Sequence, residues 1–116
     1  MENEPAVLSG LEALLSSWGC VTVAVQDRES AIGWSRKGEA LPDIMLVDYH
    51  LDRGVSGLQL AEEMQSLWGS KIPSIVITAD HTQDAHTAAN ARGCKILRKP
   101  VKPAALRAVM NSVLVS

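Results

Sequence analysis

Apolar positions along the chain follow two rhythms, a three-to-four-residue step and a short unbroken run, and the two take turns from one end to the other. Val7, Leu8, Leu11, Leu14, Leu15 and Trp18 recur at helical spacing after Pro5, which suits a first helical turn, and Gly19 stops the run. This predicts an amphipathic helix. The β-branched stretch from Val21 to Val25 reads as a short strand, and Asp27 is placed to cap a helix that carries Ala31, Ile32 and Trp34 and ends near Gly38. After Pro42, the continuous apolar run Ile44-Met45-Leu46-Val47 ends in Asp48, a pattern that suits a strand covered on both faces. Residues 49–56, with Asp52, Gly54 and Ser56, read as a loop. Helical spacing then returns through Leu58, Leu60, Ala61, Met64, Leu67 and Trp68 up to Gly69. Pro73 introduces a second buried-strand run, Ser74 to Thr78. The stretch from Thr82 to Arg92 is a helix of alanine and polar residues with a thin apolar stripe, closed by Gly93. Lys95 to Arg98 is a short strand, Lys99-Pro100 a turn, and a last helix from Pro103 carries Leu106, Val109, Met110, Val113 and Leu114 on one face.

Strands alternating with helices of this length imply right-handed crossovers and a parallel α/β sheet, doubly wound, with helices on both faces. The whole chain, 1–116, reads as one domain of this kind. With 116 residues, 47% of them hydrophobic, it can bury a core without disulfide or metal staples. No apolar run approaches the ~20 residues that span a bilayer. The start, Met1-Glu2-Asn3-Glu4, is acidic where a secretory signal is basic, so a cytoplasmic protein is expected. Cys20 and Cys94 are too few for a disulfide framework or a zinc knuckle. A net charge of −2, no run of Lys or Arg and only four aromatic residues argue against a nucleic-acid surface. His81 and His86 are five apart, off the face that helical zinc ligands share, and the three tryptophans near helix ends are explained by packing.

In such a sheet ligands bind at the carboxyl ends of the strands. Three ends here carry chemistry: Asp48, Thr78, and Lys99 just past the last strand. Each alone is an ordinary cap or turn residue. Together they put a carboxylate, a hydroxyl and an ammonium on one rim, a set that suits a phosphoryl group carried on Asp48 with Thr78 and Lys99 at its oxygens. Phosphoryl transfer also calls for a divalent cation. Magnesium prefers oxygen ligands, for which Glu2 and Glu4, beside Asn3, are the available acids.

In order and spacing, Asp43-Ile44-Met45-Leu46-Val47-Asp48-Tyr49-His50-Leu51, then Gly54 and Ser56-Gly57, Ile75-Val76-Ile77-Thr78-Ala79 and Leu97-Arg98-Lys99-Pro100 resemble the response-regulator receiver domains of two-component signalling. The likeness covers essentially the whole chain. It implies a flavodoxin-like (βα)₅ fold of strand order 2-1-3-4-5, phosphorylation of Asp48 by a histidine kinase or a histidine phosphotransfer protein, and Mg²⁺ dependence. It further implies magnesium ligands at Glu2, Asn3, Asp48 and the backbone carbonyl of His50, and a cis Lys99-Pro100 peptide. The protein would be a phosphoacceptor with at most self-catalysed phosphorylation and dephosphorylation rather than an enzyme. It would stand alone or be joined to effector or kinase domains, as in a hybrid sensor kinase, with no nucleic-acid or membrane partner.

Four positions depart from the family pattern. The apolar first strand that the family pattern implies does not appear in the sequence, where Met1 alone precedes Glu2-Asn3; an apolar segment upstream of Met1 would restore it, and strand exchange between two copies, giving a homodimer, is another way to fill its place. Glu2-Asn3 supplies one acid where the family has two. Ile96 stands where an aromatic switch residue is usual. Asp80 adds a charge two residues past Thr78. A rival reading is a receiver-like module that is not phosphorylated and works by protein binding alone. A dehalogenase-type phosphatase would need an acid where His50 stands, and a flavodoxin-type cofactor binder would need a phosphate loop that the start region lacks.

Overall fold

The computed structural model describes residues 4–36, 41–49, 56–69, 71–79, 83–91 and 93–114. Their elements run α1 (Pro5–Ser17), α2 (Arg28–Ser35), β1 (Met45–Asp48), α3 (Gly57–Trp68), β2 (Ser74–Thr78), α4 (Gln83–Ala91), β3 (Lys95–Arg98) and α5 (Pro103–Leu114). Sequence chemistry sets the ends. Pro5 opens α1, where a missing N–H costs nothing. The Asp27 carboxylate accepts from Ser30 N at 2.8 Å to start α2, and the Ser56 hydroxyl accepts from Leu58 N at 3.2 Å to start α3. Gly69, at φ 65°, closes α3 in the left-handed region that a side chain disfavours.

The strands form a parallel sheet in the order β1-β2-β3, with Val47 beside Val76 and Val76 beside Ile96. Alternation along the strands gives each face its own core. Met45 and Val47 pack with Ala31, Leu60, Ala61 and Met64 of α2 and α3, and Val76 joins Leu58 and Ala89 of α3 and α4. Ile75, with the half-buried Leu46 and Leu97, packs on Leu15, Leu106 and Met110 of α1 and α5. The expected layering, helices on both faces of a parallel sheet, is present. β2, buried at all five positions, is the central strand of the three.

One expected strand is corrected. Val21 to Val25 belongs to no helix and no ladder; Val21 is fully exposed, and Val23 nearly half. β-branched composition favours a strand only where a neighbouring strand offers a ladder and a pleated surface. Among the described residues no strand lies between this segment and β1. The order 2-1-3-4-5 is therefore seen in its last three strands. The helix from Asp27 ends at Ser35 rather than near Gly38, which lies outside the described residues. No described helix is long and apolar enough to cross a membrane.

Candidate functional site

The rim at the strands' carboxyl ends gathers the candidate residues. Asp48, last in β1, is 5% exposed, a depth at which a carboxylate needs partners. Lys99, one residue past β3, supplies one: its Nζ lies 3.0 Å from Asp48 Oδ2, across 51 residues of sequence. The lysine end remains partly open to solvent, 20% exposed against 6% for the Asp48 side chain. Thr78, last in β2, is fully buried. Its carbonyl accepts from Lys99 N at 2.8 Å, so the residue that carries the ammonium is anchored on the residue that carries the hydroxyl. The Lys99-Pro100 peptide that follows is cis, as the resemblance implied. Ile96 is half-buried against the Val76 cluster on the neighbouring rung.

A further residue, Gly57, was visible in the sequence only as part of a loop-to-helix passage. Its N–H donates to Tyr49 O at 2.8 Å, and a Cβ placed on it would meet Asp48 O at 1.9 Å and Val47 Cγ1 at 2.7 Å. Glycine here lets the first turn of α3 press against the backbone of Asp48. The positive end of that helix is thus brought beside the rim, where it favours an anion. Proximity of this kind has no periodic signature. Only the Ser56-Gly57 pair hinted at it.

Glu2, Asn3, His50 and Asp80 lie outside the described residues. Glu4 is exposed and stands at the N-cap of α1. Among the described residues no group of three His, Cys, Asp or Glu side chains could by itself hold a metal. The donors that are present still suit magnesium. The ion uses one or two carboxylates and completes its shell with water and phosphate oxygens, and Asp48 is a buried carboxylate of the kind that could supply one of them.

No curated protein matched the chain. Solved structures share the fold at low identity. A response regulator from Chloroflexus aurantiacus superposes with a TM-score of 0.85 at 24% identity, over 100% of this chain and 94% of that one. The receiver domain of a sensor histidine kinase from Pseudomonas aeruginosa, solved with a magnesium ion coordinated in its active-site cleft, gives 0.80 at 24% identity over 100% and 94%. A chemotaxis-regulator-like receiver domain from Methanospirillum hungatei gives 0.82 at 18% over 98% and 89%. The family model for the response regulator receiver domain matches residues 1–111, and the chain belongs to that family of two-component signalling modules.

Proposed function

We propose that the chain, over 1–116, is the phosphoacceptor of a two-component phosphorelay, working in the cytoplasm, with Asp48 as the residue that takes the phosphoryl group. The observation that carries this reading is the Asp48–Lys99 pair at 3.0 Å: a buried carboxylate with a lysine that is itself held to the backbone of Thr78. An Asp48 oxygen attacks the phosphorus of a phosphohistidine, on a histidine kinase or a phosphotransfer protein. The O–P bond forms as the N–P bond breaks, and the imidazole leaves with its electron pair and takes a proton from solvent. Lys99 then faces phosphoryl oxygens as well as carboxylate, and Thr78, next in β2 after the Ile77 that pairs with Asp48, offers a hydroxyl at the same rim. The positive end of α3 favours the added charge. Asp48, Glu2, Asn3 and the His50 carbonyl would hold Mg²⁺, which when bound neutralises phosphoryl oxygens.

Added negative charge draws Lys99 and Thr78 toward it. The residues next to them, the segment after β2 and the alanine-rich α4, then respond first. Among the residues of α4 whose burial is described, the buried one is the small Ala89, so little packing there resists movement.

Intact mass after incubation with acetyl phosphate and Mg²⁺ tests the assignment. One added phosphoryl group is expected on the native chain and none on Asp48→Asn, whereas Lys99→Ala should still take label but give smaller amide shifts in α4. Label retained by Asp48→Asn would overturn the site. A native chain that stays unlabelled, both with acetyl phosphate and with phosphorylated histidine kinases, would leave protein binding alone as its function.

A further inference from the structure

Tyr49 follows Asp48 directly, and its backbone is pinned on both sides. Its N–H donates to Ile77 O at 2.8 Å, and its carbonyl accepts from Gly57 N at 2.8 Å. One step further in the register that pairs Asp48 with Ile77 sets Tyr49 level with Thr78. The side chain alternates onto the face of Val76 and packs, half-buried, against the cluster of Leu58, Val76, Ala89 and Cys94. With the backbone fixed, the freedom left to the ring is rotation about its own side-chain bonds.

Across that cluster stands α4, which meets the sheet through small residues. Among its residues whose burial is described, Ala89 is buried and Ala88 half-buried, while Thr87, Asn90 and Ala91 are exposed. On the sheet beneath, Val76 and Ile96 are aliphatic and sit beside one another in register. Among the described residues, the aromatic ring packed in this cluster is that of Tyr49, and it supplies the bulk that the alanines lack. Thr78 alternates onto the same face as Val76 and is fully buried. In a close-packed interior a side chain that moves displaces its neighbours, so the ring cannot ignore a shift of Thr78.

We propose that Tyr49 is the positioning residue that carries the state of Asp48 to α4. When phosphoryl charge on Asp48 draws Thr78 toward the rim, the ring follows into the space that Thr78 leaves, and Ala88 and Ala89 shift with it. This rests on Asp48 as the phosphoacceptor and adds the side chain that conducts the change. The working part is the ring, because its link to α4 is packing; phosphoryl transfer itself does not use it.

The test compares the native chain with Tyr49→Phe and Tyr49→Leu, each incubated with acetyl phosphate and Mg²⁺. Intact mass reads the label, and the amide shifts that labelling causes are read separately at the rim, residues 76–79, and in α4, residues 83–91. Each protein should take one phosphoryl group and show the rim shifts. In Tyr49→Phe the α4 shifts should match those of the native chain; in Tyr49→Leu they should fall roughly twofold or more, the size expected when a coupling contact is lost. Should Tyr49→Leu not fold, Tyr49→Met, which holds much of the side-chain volume without a planar ring, makes the same comparison. Native-sized α4 shifts in the ringless variant would overturn the proposal even if its urea midpoint falls, because the ring would then serve packing alone. Loss of rim and α4 shifts together would place its effect at Asp48, and a Tyr49→Phe that behaves like Tyr49→Leu would place it in the hydroxyl; either outcome overturns the proposal too. A native chain that takes no label overturns the phosphoacceptor reading and this proposal with it, whereas the other failures leave that reading standing.

Discussion

A methyl group on Gly57 would sit 1.9 Å from the carbonyl oxygen of Asp48, far inside any contact that a real side chain makes. The atom it meets is backbone, so relief requires either the start of α3 or the end of β1 to move. Gly57→Ala is therefore expected to destabilise the protein by about 1–3 kcal/mol, the usual cost of overpacking. The fall should appear as a lower urea midpoint at an unchanged slope, with slower labelling of Asp48 alongside it. Gly33 in α2 is the internal control: nothing lies within 4 Å of its added Cβ, and Gly33→Ala should stabilise by up to about 1 kcal/mol through helix propensity. Equal behaviour of the two variants would mean that the close approach beside Asp48 is dispensable. Asp48, Thr78 and Lys99 were legible in the sequence because each ends or follows an apolar run. The role of Gly57 was not, because it comes from two segments meeting rather than from either one.

Between elements, the helices are fastened in pairs by side chains distant in sequence. Arg28 of α2 and Glu63 of α3 form a two-bond ion pair, Nε to Oε2 at 3.0 Å and Nη2 to Oε1. Between the same two helices the rings of Trp34 and Trp68 meet edge to face at 6.1 Å. On the opposite layer the Arg107 guanidinium of α5 lies 5.4 Å from the centre of the Trp18 ring at the end of α1. Hydrogen bonding from Arg28, and then its charge, hold the Glu63 carboxyl below its ordinary range. The sign follows from linkage. A carboxyl depressed in the folded state contributes stability above its unfolded pKa and loses it as pH falls through the folded value. Glu63→Gln should therefore lower the melting temperature slightly at neutral pH, and the gap from the native chain should close in acid and narrow in high salt, both measurable by calorimetry. Both groups are solvent-exposed, so the effect is small. A gap that persists in acid would show that the glutamate acts by packing rather than by charge.

At the scale of the whole molecule, three apolar clusters among the described residues hold the three described strands between two helical layers, and Leu106 is the plainest case of their reach. It is fully buried among Leu15, Ile75 and Met110, so α5 is bound through it to both α1 and the central strand. Leu106→Ala is expected to cost about 2–5 kcal/mol by denaturant unfolding. A loss below 1 kcal/mol would show that this cluster collapses around the hole. Apolar periodicity alone gave the five helices, the three laddered strands and the rim on which Asp48 and Lys99 lie, because spacing along a chain is itself the record of which face is covered. It misjudged the segment Val21 to Val25, whose residues have the preferences of a strand without a ladder to satisfy them. Pairing is a property of neighbours, and composition cannot report whether a neighbour is there. The 3.0 Å meeting of Lys99 with Asp48 and the seat of Gly57 against the Asp48 backbone were likewise decided only in three dimensions. Each depends on distances between segments tens of residues apart, which local preference leaves free and packing sets.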